Sequence, residues 1–90
     1  MHEINRRLIE READRSFFDP LRFRVFKCNA NGYRVIKTLS AGAFSQDRFR
    51  TVCRSIDMTA ESADAFWEKC VAHGVVVERP SASGEPYAGA

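Results

Sequence analysis

No uninterrupted apolar run in these 90 residues exceeds three, as at Val75-Val76-Val77, against the roughly 20 that a helix needs to cross a bilayer. The basic N-terminal stretch is not followed by the apolar core of a signal peptide, so a soluble, cytoplasmic protein is expected. Cysteine is scarce and odd in number. Cys28, Cys53 and Cys70 show no C-x-x-C spacing, which argues against a disulfide framework. With only His2 and His73 to join them, no tetrahedral metal cluster is suggested. The thiols read as small buried hydrophobes, with a reactive role as the alternative. No nucleophile is paired with a base and no paired carboxylates stand out. The sequence therefore predicts no catalytic residue, no cofactor and no metal.

What is present fits one small domain, because a chain this short cannot divide into two cores. Such a domain buries somewhat over about 60% of its unfolded surface, and a deep cofactor cavity would remove much of what holds it together. Binding is expected at a groove or an edge. The net charge of +2 hides an asymmetry: residues 1–56 carry 12 Lys/Arg against 6 Asp/Glu, a balance of +6, whereas residues 57–90 carry 2 against 6, a balance of −4. This split points either to a negatively charged partner at the N-terminal half or to simple solvation of exposed strands and helix faces.

The segment 23–39 holds the clearest local signal. Up to Cys28 it is rich in aromatic and β-branched residues, and from Tyr33 the apolar residues fall at helical spacing: Tyr33, Ile36 and Leu39, with Val35 beside them. Asn29 lies at the join, where its side-chain oxygen can accept from the free amides of a first helical turn. Upstream, Asp14-Arg15 and Asp19-Pro20 are turn signals, and strands are expected at about residues 7–12, 16–18 and 22–28. A second helix should start from a Ser45 cap, with Phe44 packing on Phe49 as a hydrophobic staple and Phe49, Val52, Cys53 and Ile56 on its inner face. A third should start near Thr59, carry the stripe Ala63, Phe66, Trp67, Cys70 and Val71, and end at Gly74. Val75 to Val77 can add a short extended segment. Residues 80–90, mostly Pro, Ser, Ala and Gly, are predicted to be a disordered tail on a domain spanning residues 1–79.

The predicted class is α+β, a winged-helix-like arrangement with a three-stranded antiparallel sheet followed by three helices. Over about residues 6–77 the chain resembles PqqD-like proteins, the recognition elements that bind leader peptides of ribosomally made, modified peptides. The residues that carry the resemblance are Phe17-Phe18-Asp19-Pro20, Asn29-x-x-Gly32, the apolar Val35, Ile36 and Leu39, the Ser-Ala-Gly loop before the second helix, and Phe66 with the terminal Val-Ala-His-Gly-Val-Val. Cys28 stands where the family usually has leucine, and Ala43-Phe44 stands where a charged residue followed by threonine is common. The resemblance implies no catalysis by this chain. It implies capture of a precursor's leader peptide, antiparallel along the third strand and against the third helix, for a separate modifying enzyme, often a radical SAM protein.

An exposed strand offers unpaired amides and carbonyls to an extended peptide independently of any family. The candidate peptide-binding residues are Arg22, Phe23, Arg24, Val25, Phe26 and Lys27 on the strand, and Ala63, Asp64 and Trp67 on the third helix. Arg22 and Arg24, two residues apart on the expected strand, share a face with Phe26, while Phe23, Val25 and Lys27 share the other. The arginines then either meet acidic peptide residues or protect the edge from aggregation. Which face meets the helices is not legible.

The rivals are a winged-helix DNA-binding protein and a non-catalytic subunit of a larger enzyme. Against the first, the third helix carries Glu61, Asp64 and Glu68 and only Lys69 between residues 60 and 73, which opposes phosphate attraction. Oligomeric state stays open, since an exposed edge can also pair with its own copy.

Overall fold

The computed structural model describes residues 1–79; the expected tail lies outside the described residues. The chain forms β1 (His2–Ile4), β2 (Ile9–Arg11), a single 3₁₀ turn (Glu12–Asp14), β3 (Ser16–Asp19) and β4 (Arg24–Lys27). It continues with α1 (Ala30–Leu39), α2 (Gln46–Ser55), α3 (Ala60–Ala72) and β5 (Val76–Glu78). The expected α+β arrangement is present: β2, β3 and β4 form a three-stranded antiparallel sheet, followed by three helices.

Each helix begins where a side chain satisfies an orphan amide. Asn29 accepts from the Gly32 amide at 2.8 Å, Ser45 from Arg48 at 3.1 Å and Thr59 from Ser62 at 3.0 Å, each cap contributing ~1 kcal/mol. The Phe44–Phe49 staple forms, with ring centroids 6.4 Å apart. Helix α3 ends as expected at Gly74, whose φ of +72° favours a residue without a Cβ. There the Val75 amide bonds Cys70 O at 2.8 Å and the Gly74 amide bonds Val71 O at 3.1 Å, the paired bonds of a Schellman cap.

The inner faces of the helices meet in one core. Val35, Ile36 and Leu39 from α1, Phe49, Val52 and Cys53 from α2, and Ala63 and Cys70 from α3 are buried. Phe49 is fully enclosed, and its ring meets those of Phe44, Phe66 and Trp67; burial of such a side chain contributes roughly 1.5–3 kcal/mol. Val71 departs from the expected stripe and is 45% exposed. The seam runs through Ala63 and Cys70, and one further step of about 100° carries Val71 past its edge.

One strand boundary is also corrected. Position 22 is not in a strand: residues 20–23 form the turn between β3 and β4, with Phe23 in the left-handed region at φ 52°. The Asp19 side chain accepts the amides of Leu21 at 3.0 Å and Arg22 at 3.3 Å and so shapes that turn. The structure adds β1, which pairs antiparallel with β5 and places His2 opposite Glu78 and Ile4 opposite Val76. His2 also exchanges two 2.8 Å backbone bonds with Phe44. The extended segment expected near Val75 thus has a partner from the opposite end of the chain. Among the described residues no helix is long and apolar enough to cross a membrane.

Candidate functional site

In the three-stranded sheet β3 is central and β4 lies at one edge. The register sets Ser16, Phe17, Phe18 and Asp19 opposite Lys27, Phe26, Val25 and Arg24. Just beyond β4 the Cys28 amide donates to Arg15 O at 2.9 Å, and this bond sets the phase of the ladder. Backbone groups in an antiparallel strand point alternately to either side. Cys28, Phe26 and Arg24 therefore turn theirs toward β3, and Val25 and Lys27 turn theirs outward. Among the described residues no strand pairs with that outward side.

The opposite edge is tied down. Glu10 on β2 accepts from the Tyr33 hydroxyl and, at 2.7 Å, from Lys37 Nζ, both on α1. Bonding to Lys37 and then to Tyr33 holds the Glu10 carboxyl below its ordinary value. The same carboxylate pushes the Tyr33 phenol up to about 12.

A groove of about 300 Å³ runs between the β4 end of the sheet and α3. Its apolar lining is Phe26, Cys28, Met58, Ala65 and Phe66, and Lys27 and Lys69 also border it. Among the described residues neither lysine is in an ion pair. Gly32 on α1 completes the groove where the helix passes Phe66: a Cβ there would lie 3.1 Å from Phe66 Cζ. Burial raises the Cys28 thiol to about 11, against a smaller opposing effect of Lys69, so at neutral pH it is a protonated, apolar lining group. Burial likewise raises Cys53 to about 11 and Cys70 further still. Among the described residues no three His, Cys, Asp or Glu side chains are grouped to hold a metal ion.

The predicted strand residues divide by position. Phe26 is buried against the helices, with its ring 6.3 Å from that of Phe66, and the sheet face left open by the sequence is thereby assigned. Arg24 shares that side of the sheet, while Val25 and Lys27 project from the other and are exposed. Arg22 is a turn residue committed to Asp19, with Nη1 3.1 Å from Oδ2. It lies so near Gly74 that any Cβ there would collide with it. Phe23 is 82% exposed in the turn, with its ring 6.2 Å from Phe18.

The three α3 candidates lie away from the groove lining. Ala63 is buried in the core, Asp64 accepts from Arg50 Nε at 2.9 Å, and Trp67 packs edge-on against His2 and Phe49. The groove wall from α3 is instead Ser62, Ala65, Phe66 and Lys69. Phe66 and Trp67 are adjacent in sequence, so a stripe containing both does not reveal which side of the helix faces the sheet. Gly32 was the available signal, since glycine in a first helical turn suggests a bulky neighbour.

No family model, curated protein or solved structure matches this chain.

Proposed function

We propose that this chain is a PqqD-like peptide-recognition module with no chemistry of its own. It acts in the cytoplasm, binds an extended, acidic and partly apolar leader peptide at the β4 edge, and presents the precursor to a separate modifying enzyme, a radical SAM protein by the family resemblance. The observation that carries this reading is the free edge itself. Val25 and Lys27 turn their amides and carbonyls outward beside an apolar groove that Lys69 of the facing helix borders, with the Lys27 side chain exposed on the other face of the sheet.

Strand addition draws affinity from the main chain and specificity from pockets for alternate side chains. The cations favour an acidic strand over a second copy of β4, because edge-to-edge pairing of two copies would bring two sets of Arg24 and Lys27 together.

The test is calorimetry with extended synthetic peptides that carry acidic and apolar residues. Val25→Pro removes one outward amide and fixes the backbone, and it should abolish binding while circular dichroism retains the native spectrum. Unchanged affinity in a folded Val25→Pro protein rejects strand addition at this edge. Retardation of random duplex DNA at low salt, without peptide affinity, would favour the nucleic-acid alternative.

A further inference from the structure

The outer face of the sheet, away from the helices, carries an apolar row that the groove does not use. Register places Ile9, Phe18 and Val25 side by side across β2, β3 and β4. Ile9 and Val25 are each 54% exposed, and Phe23 extends the row over Phe18. One step along the strands, the next row on this face is Arg11, Ser16 and Lys27. Arg11 lies 3.9 Å from Asp14 and Ser16 bonds the same carboxylate at 2.7 Å, whereas Lys27 is in no ion pair among the described residues.

We infer that a peptide added to β4 is read on both faces of the sheet, through a four-residue pattern of apolar, acidic, apolar, apolar, written from its N-terminus. This rests on the strand-addition reading above. An antiparallel strand that pairs with the outward groups of Val25 and Lys27 sets four consecutive residues opposite Cys28, Lys27, Phe26 and Val25, in that order. Side chains directly opposite one another share a face. The first and third peptide side chains therefore fall on the helix side, over the groove lined by Cys28, Met58, Phe26 and Phe66. The second falls beside Lys27, where a carboxylate supplies the counter-charge. The fourth falls beside Val25 and lengthens the Ile9–Phe18–Val25 row by one residue, covering apolar surface that is otherwise exposed.

Direction is part of the inference. A parallel strand meets the same four positions in reverse, which places the acidic residue third; antiparallel pairing is the more stable per residue.

The probe is a displayed library of random decapeptides selected on the full chain at low ionic strength. The expected consensus has an acidic residue in the second position, apolar residues in the other three, and binding that is lost on Val25→Pro. In synthetic peptides from the selection, replacing the acidic residue with lysine should weaken binding roughly two- to fivefold, the scale of one cross-strand pair. Two variants whose fold is checked by circular dichroism move the code itself. Selection on Lys27→Glu should turn the second position basic, and selection on Val25→Lys should turn the fourth acidic. Peptides that need the Val25 amide but show an acidic third position, or a consensus unmoved by these variants, would overturn the two-face code and leave strand addition standing. Failure to enrich any peptide sensitive to Val25→Pro would overturn both. A concentration-dependent dimer dispersed by Phe23→Ser would assign the outer row to self-association and overturn its role in peptide reading.

Discussion

Gly32 on α1 and Phe66 on α3 meet so closely that a Cβ at position 32 would lie 3.1 Å from Phe66 Cζ, with Asn29 Oδ1 at 3.2 Å from the same point. The capping side chain, the helix it caps and the groove wall are thus in contact at one residue. Two opposing effects act on a substitution here. Alanine gains up to ~1 kcal/mol of helix propensity over glycine, while overpacking costs typically 1–3 kcal/mol. The overpacking is the larger of the two, so Gly32→Ala should lower the melting temperature modestly. Gly32→Val adds a branch against the same ring with little further propensity gain and should lower it by several degrees. A stabilised Gly32→Val protein, measured by calorimetry, would contradict the close approach.

Ser45 caps α2 with its hydroxyl accepting the Arg48 amide at 3.1 Å. Ser45→Ala should cost ~1 kcal/mol, a fall of roughly 4–8 °C in melting temperature for a domain this small. Ser45→Asp should retain most of the stability, since it restores an acceptor and places a negative charge at the helix N-terminus.

Asp19 links stability to pH. Its burial opposes ionisation, but the Arg22 guanidinium and the amides of Leu21 and Arg22 outweigh that and hold the carboxyl below its ordinary value of 3.8. A depressed folded value means that the contribution is complete above about pH 4 and is lost as pH falls through the lower folded value. Melting curves between neutral and strongly acid pH should fall below that point. Asp19→Asn should be less stable at neutral pH and show a shallower acid decline. Glu10 and Asp14 are also depressed, so part of the decline should remain.

The cysteines should react as their burial dictates. Thiolate is the nucleophilic form, and Cys28 and Cys53 are each raised to about 11, with Cys70 higher still. In the native protein at pH 8 alkylation should be far slower than for a free thiol, with Cys28 first because it is only half-buried. Denaturant should release all three. Mass spectrometry of timed alkylation reads this directly, and rapid native labelling of Cys70 would contradict its place in the core.

The sequence by itself determined the local structure of the helical half. Capping and periodicity are relations among residues three or four apart, so Asn29, Ser45, Thr59 and Gly74 could be assigned as helix ends from their neighbours alone. The strand-to-helix corner was legible for the same reason, and so was the sheet of three strands, each a short run bounded by turn residues.

Tertiary structure decided what depends on distant pairing. The β1 strand is three residues long and has no periodicity of its own; it exists because β5, more than 70 residues away, gives its backbone groups partners. The rotation of α3 about its axis placed Phe66 and Lys69 at the groove and Trp67 against His2 and Phe49, a choice between adjacent residues that a stripe of apolar positions does not make. The side-chain carboxylate of Asp19 drew Arg22 into the turn and ended the strand at Arg24. The register of β3 against β4 then selected Val25 and Lys27 to face outward, because alternation along a strand has two phases and the hydrogen bond from Cys28 to Arg15 shows which of them is taken.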